Sequence, residues 1–283
     1  MADIQNIGVI GAGTMGHGIA HVAAAAGYQI VLYDVKLEFA QKGRSKIEEN
    51  LSAGVKKGKV AQPAMDEALS RISVTENFSD LGRCQLVIEA APEKIELKQK
   101  IFGDLSQLLP SDAILASNTS SLSLTEIAAT AKNPERVVGM HFFNPVHLMK
   151  LLEIVRAFQT SDETVATVKA VGQKLGKELI FVQDSPGFAS SRLGIALGME
   201  AIRMLEEGVG KAEDIDRAME LGYGHPMGPL KLTDLVGLDV RLAIAEYLHK
   251  ELGNPAFRPP QLLKQMVRAG RLGKKVGKGF YSY

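Results

Sequence analysis

The chain has 283 residues, 46% of them hydrophobic and 23% charged, with 33 Lys+Arg against 32 Asp+Glu for a net charge of +1. A typical domain takes roughly 100 to 200 residues, so this length points to two moderate domains with well-buried cores. A near-neutral balance leaves no overall field to draw nucleic acid or an anionic membrane surface.

Asp3 stands where a signal peptide would carry positive charge, and no apolar run approaches about 18 residues. The expectation is a cytoplasmic protein with no membrane partner. NIGVIGA then reads as a strand and residues 14–26 as a helix, joined by three glycines, Gly11, Gly13 and Gly16. The next strand, QIVLYD, delivers Asp34 at its carboxyl end. Strand, G-x-G-x-x-G, helix and an acidic residue about 20 positions on together form the dinucleotide fingerprint. Gly11 permits the tight turn, Gly13 lets backbone approach a pyrophosphate, and Gly16 lets helix and strand pack closely. The cofactor loop is therefore Gly11, Ala12, Gly13, Thr14, Met15 and Gly16, with helix N–H groups and a positive dipole end offered to the anion. Asp34 would accept from the ribose hydroxyls and repel a 2′-phosphate, so the expected cofactor is NAD rather than NADP. His17 and His21 have no acidic or cysteine partner at metal spacing and read as packing or surface histidines; no metal site is read.

Lys56, Lys57 and Lys59 form a short basic run of the kind that usually marks a solvated face. RISVT, QLVIEAA, AILASNT, RVVGMHFF, KLLEIVR and KELIFVQD follow as further strands, alternating with helical patterns as in βαβ units of a parallel sheet. Cys84, the single cysteine, excludes an intrachain disulfide and reads as a small buried filler. At Asp184-Ser185-Pro186-Gly187 a polar N-cap followed by Pro marks a helix start. From there to the end only helical periodicity is found. The expected organisation is an α/β Rossmann-type dinucleotide-binding domain over residues 1–184, followed by an all-helical C-terminal domain over 185–283.

A nicotinamide enzyme that oxidises an alcohol needs a base for the hydroxyl proton, and histidine titrates nearest neutrality. GMHFFNPVHLMKLLEIV supplies one together with a carboxylate. Its apolar runs flank the turn-like Asn144-Pro145, and a chain folding back near residue 147 brings His141 beside Glu153. A slip of one residue would put Glu153 on the other face, and the sequence leaves that open. His147, in the loop itself, reads as a bystander.

Taken in order, GAGTMGHGIA, VIEAAPE, ASNTSSL, GMHFFNPVHLMKLLEIV, DSPGF, HPMGPLKLTDLVGLD and GKKVGKGFYSY resemble the L-3-hydroxyacyl-CoA dehydrogenase family, above all its short bacterial members acting on 3-hydroxybutyryl-CoA. The resemblance spans essentially the whole chain. It implies NAD-dependent, reversible oxidation of an (S)-3-hydroxyacyl-CoA to the 3-oxoacyl-CoA. It also implies His141 as base, Glu153 as its orienting carboxylate, Ser120 bonded to the substrate oxygen, and Asn144 at the nicotinamide end. Glu93, Lys98 and Lys275 match positions that line the cofactor in relatives, and Lys57 matches a lysine used against the phosphates of coenzyme A. Ser191 stands where relatives commonly carry Asn near the thioester carbonyl; its hydroxyl can donate one hydrogen bond but has a shorter reach. The helical domain would close over the acyl-CoA and form most of a homodimer interface. Two other readings are weighed against this one. A 3-hydroxyisobutyrate or 6-phosphogluconate type dehydrogenase needs a KxxxN helix, and residues 185–207 offer no such pair. A non-catalytic NAD-binding protein would not need Ser120, His141, Asn144 and Glu153 together.

Overall fold

The computed structural model describes residues 4–283, and Asp3, which bears on the targeting expectation, lies outside them. The chain divides into two compact units, Met1–Asp184 and Ser185–Tyr283.

The first unit is built on one eight-stranded sheet. Its elements in order are β1 (Asn6–Ile10), α1 (Thr14–Ala25), β2 (Gln29–Tyr33), α2 (Leu37–Lys56), α3 (Gln62–Ser70), β3 (Ile72–Thr75), β4 (Leu86–Glu89), α4 (Ile95–Leu108), β5 (Ile114–Ser117), α5 (Leu124–Ala128), β6 (Val137–Phe142), β7 (Leu151–Arg156), α6 (Asp162–Lys174) and β8 (Glu178–Gln183). Spatially they run β3-β2-β1-β4-β5-β6-β7-β8. Strands β3 to β6 are mutually parallel, whereas β7 pairs antiparallel with β6 and parallel with β8. Every residue of β4, β5 and β6 is buried. That is why these strands read as continuous apolar runs rather than alternating ones: helices cover both faces. The chain builds outward from β1 to β3, then crosses back to β4. This reversal opens a crevice at the carboxyl ends of β1 and β4, the place where open α/β sheets hold ligands. Helix α1 lies over it, packed through Gly16, Gly18, Ala20, Ala23 and Ala24, whose small side chains let helix and sheet approach closely. Cys84 is fully buried, and burial pushes its thiol up to about 11, so it is an inert filler.

The second unit contains α7 (Ser190–Glu206), α8 (Ala212–Gly222), α9 (Pro229–Val236), α10 (Leu238–Leu252) and α11 (Gln261–Arg268) around Ile195, Met199, Ile202, Leu230, Leu238, Leu248 and Leu263. Two buried carboxylates staple it. Asp216 accepts from the Leu230 and Lys231 amides at the start of α9 and from the Tyr281 hydroxyl, at 2.7, 3.0 and 2.8 Å. Asp234 accepts from the Phe280 and Tyr281 amides, both at 2.9 Å. The HPMGPLKL and GKGFYSY segments are thereby tied together, so much of their sequence serves packing.

One detail differs from expectation. Helix α7 starts at Ser190, because Gly187 (φ 76°) and Phe188 (φ 50°) adopt left-handed backbone that a helix cannot include. Pro186 is thus not its first residue, and Asp184 instead accepts from the Thr125 amide and the Ser123 hydroxyl at the start of α5. Farther on, Gly237 (φ 106°) separates α9 from α10.

Candidate active site

The glycine loop has the form that a pyrophosphate requires. Gly11 sits at φ 89°, its amide donating to the Tyr33 carbonyl at 2.9 Å, and a Cβ there would meet the Ala90 carbonyl oxygen at 2.8 Å. A Cβ at Gly16 would fall 1.6 Å from the Gly11 carbonyl oxygen, so only glycine fits. At Gly13, by contrast, nothing lies within 4 Å of a Cβ, which leaves the backbone open to an approaching ligand. Gly13 is the N-cap of α1, with no side-chain cap and no acidic residue in the first turn. The helix end therefore keeps its N–H groups and positive dipole for an anion. Asp34 accepts from the Ala12 amide through Oδ2 and from the Val35 amide through Oδ1, both at 2.8 Å. These two bonds hold the carboxylate at the rim of a cavity of about 1070 Å³ that Gly11, Gly13, Thr14, Met15 and Asp34 line with Phe39 and Ala91. A dinucleotide fits this loop by all three criteria: turn, open backbone and a carboxylate lining the cavity.

A buried polar network closes the other side of the crevice. Glu89, at the end of β4 and fully buried, accepts from Lys98 Nζ at 2.6 Å, from the Ala91 amide at 2.7 Å and from the Ser117 hydroxyl at 2.7 Å. Lys98, 1% exposed, also lies 3.3 Å from Glu93. Glu93 in turn accepts from the Thr119 hydroxyl at 2.6 Å and from the Ser120 amide at 2.9 Å, with the Ser120 hydroxyl at 3.3 Å. Lys98 is thus an interior counter-ion that fixes Glu93, and Glu93 sets the backbone at Ser120. Glu89, Ser117 and Thr119 were not singled out from sequence, although VIEAAPE and ASNTSSL contain them; their partnership spans strand ends far apart in the chain.

The β6–β7 hairpin resolves the register. His141 pairs across the ladder with Glu153, and its Nδ1 lies 2.6 Å from Glu153 Oε2, with His141 6% exposed and Glu153 fully buried. A carboxylate only accepts, so Nδ1 carries the proton and the basic lone pair of the neutral ring is on Nε2. The Phe143 ring lies 4.5 Å from the imidazole. Asn118, at the end of β5, accepts from the Phe142 amide at 2.9 Å and ties the hairpin to the Ser120 loop.

Asn144 opens the turn after β6 and is exposed, joined to Pro145 by a cis peptide. The turn is pinned to α1. Val146 is buried against Gly18, where a Cβ would come within 2.8 Å of it. His147 stacks on His21 with centroids 5.2 Å apart. Lys177 donates to the carbonyls of Val146 and Met149, at 2.5 and 2.8 Å. His147 is therefore a packing residue of the turn rather than a bystander. Burial, reinforced by His147, His17 and Lys177, pushes His21 down to about 4; its Nδ1 has no hydrogen-bond partner among the described residues. Burial likewise lowers His147 and Lys177.

The remaining expected residues fall on three further elements. Lys57 is the exposed C-cap of α2. Ser191 and Lys275 belong to the second unit. Ser191 is in the first turn of α7, and Lys275 Nζ is bonded to both Asp239 oxygens, at 2.6 and 2.7 Å.

Two family models match the chain: "3-hydroxyacyl-CoA dehydrogenase, NAD binding domain" over residues 6–185, and "3-hydroxyacyl-CoA dehydrogenase, C-terminal domain" over residues 187–283. The chain is similar to a 3-hydroxybutyryl-CoA dehydrogenase of Bradyrhizobium diazoefficiens, 48% identical over 100% of this chain and 96% of the relative. It is also similar to one of Mycobacterium tuberculosis, 43% identical over 99% of each. Among solved structures, the (S)-3-hydroxybutyryl-CoA dehydrogenase of Ralstonia eutropha superposes with a TM-score of 0.96 at 43% identity, covering 99% of both chains.

Proposed function

The chain belongs to the 3-hydroxyacyl-CoA dehydrogenase family, and from that premise we propose that it catalyses the reversible NAD-dependent oxidation of (S)-3-hydroxybutyryl-CoA to acetoacetyl-CoA. The observation that carries the reading is the His141–Glu153 pair at 2.6 Å, held on paired strands of the sheet that also carries the dinucleotide loop. NAD+, when bound, supplies the hydride acceptor for the C3 hydrogen. His141 Nε2 takes the 3-hydroxyl proton, and Glu153 stabilises the imidazolium so formed, as a buried carboxylate does in a catalytic triad. In the reverse direction the same imidazolium returns its proton to the forming alkoxide. Ser120, whose amide is fixed by Glu93, offers its hydroxyl to the substrate oxygen, and Asn144 serves the nicotinamide end. Lys57, Ser191 and Lys275 are assigned, on the resemblance, to the coenzyme A phosphates, the thioester carbonyl and the cofactor.

Leu193, Leu221, Tyr223 and Leu235 leave 52–78% of their surface exposed in the helical unit. Apolar exposure on that scale supports a homodimer formed through this unit. No described helix is long and apolar enough to cross a membrane, and a cytoplasmic location suits the lone buried cysteine.

The test is NADH consumption with acetoacetyl-CoA, repeated with NADPH. The expected result is rapid oxidation of NADH, slow oxidation of NADPH because Asp34 opposes a 2′-phosphate, and a product of S configuration. Tight NADH binding without turnover of any 3-oxoacyl-CoA would instead favour the non-catalytic reading.

A further inference from the structure

In the helical unit, the Arg241 side chain on α10 is 6% exposed and its Nε has no hydrogen-bond partner among the described residues. No carboxylate forms an ion pair with it among the described residues, and burial lowers its pKa from 12.5 to about 10, so the group stays charged at neutral pH. Two glycines of α7 make room for it. A Cβ at Gly194 would lie 3.4 Å from Nη1, and one at Gly198 would lie 3.6 Å away. Gly194 is only half-buried and has no side chain to cover the guanidinium on that side. Ser191, Gly194 and Gly198 follow one another at helical spacing of three and four, so they share one stripe of α7.

A desolvated guanidinium without an anion is costly, and a ligand that supplies the anion gains correspondingly. The planar fork of Arg matches a carboxylate through two parallel hydrogen bonds, which a neutral carbonyl cannot reproduce. We propose that Arg241 binds a carboxylate at the far end of the acyl chain, so that the protein takes acyl-CoAs ending in a carboxylate as well as those ending in a methyl group. The inference rests on the acyl-CoA reading of the substrate and narrows its class. Ser191 is the residue assigned above to the thioester end. The axial distance from it to Gly198 is about 10 Å at 1.5 Å per residue, the span of a medium-length acyl chain.

Calorimetric titration of the full chain with glutaryl-, adipyl- and suberyl-CoA, against valeryl-, hexanoyl- and octanoyl-CoA, measures the preference without turnover. Coenzyme A phosphates are common to both series and cancel. At least one carboxylate-ended ligand is expected to bind about tenfold tighter than its uncharged counterpart. Arg241→Met should abolish that ratio, and Arg241→Lys should retain part of it. A merely structural role for Arg241 would weaken both series alike and leave the ratio unmoved. Equal affinities in the wild type, or a ratio that survives Arg241→Met, overturns the proposal. Dissociation of an oligomer by Arg241→Met, with no carboxylate preference, also overturns it by giving the guanidinium a partner on a second copy. Thermal melting and NADH binding report whether the variants fold; should Arg241→Met not fold, the wild-type ratio and Arg241→Lys decide. Acetoacetyl-CoA reduction is scored separately, so failure of the proposed reaction and failure of the Arg241 assignment are distinguishable.

Discussion

The chemistry rests on a few side chains whose partners decide what they can do. Glu153 is fully buried and paired with His141 Nδ1. Glu153→Gln keeps the shape but lets an amide N–H face Nδ1, which favours the tautomer with the proton on Nε2. The expected consequence is a fall in kcat of about 10²- to 10⁴-fold with NADH affinity retained; steady-state rates and NADH titration on one preparation check it. Lys98 sits in a different regime. Its ammonium is interior and bonded to the fully buried Glu89, so Lys98→Met leaves an uncompensated carboxylate. A loss of about 3–5 kcal/mol is expected in denaturant unfolding, and an unchanged midpoint would refute this account of the pair. At this scale the sequence was legible where the chemistry is local. The glycine loop and Asp34 belong to one strand-helix-strand unit, and their spacing alone identifies them. Glu89, Ser117 and Asn118 were not legible, because their roles arise only where the ends of β4, β5 and β6 lie side by side in the sheet.

At the level of elements, the turn carrying Asn144 is held by α1 and by Lys177 rather than by its own residues. Gly18→Leu would press against Val146, already 2.8 Å from a Cβ at that position. Overpacking of this kind costs about 1–3 kcal/mol, and the displaced turn should lower kcat as well; a variant with wild-type stability and rate would show that Val146 does not set the turn. His21 gives the same contact a pH dependence. Its folded-state pKa of about 4 lies below its ordinary value of 6.5, so between those limits the unfolded chain binds more protons than the folded one. Stability is full above about pH 6.5 and is lost as pH falls toward 4, by up to about 3 kcal/mol. Urea unfolding across that interval should show this slope in the wild type and a shallower one in His21→Phe; identical slopes would contradict the assignment. The hairpin was half legible: two apolar runs around Asn144-Pro145 announced the fold-back, but the register needed the ladder itself. The start of α7 was misread because left-handed backbone at Gly187 and Phe188 leaves no periodic trace.

For the whole molecule, the alternation of buried strands with amphipathic helices made the α/β class legible, and the loss of strand patterning marked the helical remainder. The reversal of strand order beside β1 puts the glycine loop at a crevice, while β6 and β7 bring His141 and Glu153 to the same sheet. Neither half performs the reaction with its own residues alone under this account: the first carries the glycine loop and the base, and Ser191 and Lys275 of the second are assigned to the thioester carbonyl and the cofactor. The central claim is that His141 transfers the proton in a dehydrogenase whose cofactor loop works independently of it. The most direct measurement is the rate of NADH oxidation with acetoacetyl-CoA by His141→Asn, alongside NADH affinity on the same sample. The account predicts a loss of about 10²- to 10⁴-fold in kcat with NADH affinity within about twofold of wild type; wild-type turnover by His141→Asn would contradict it.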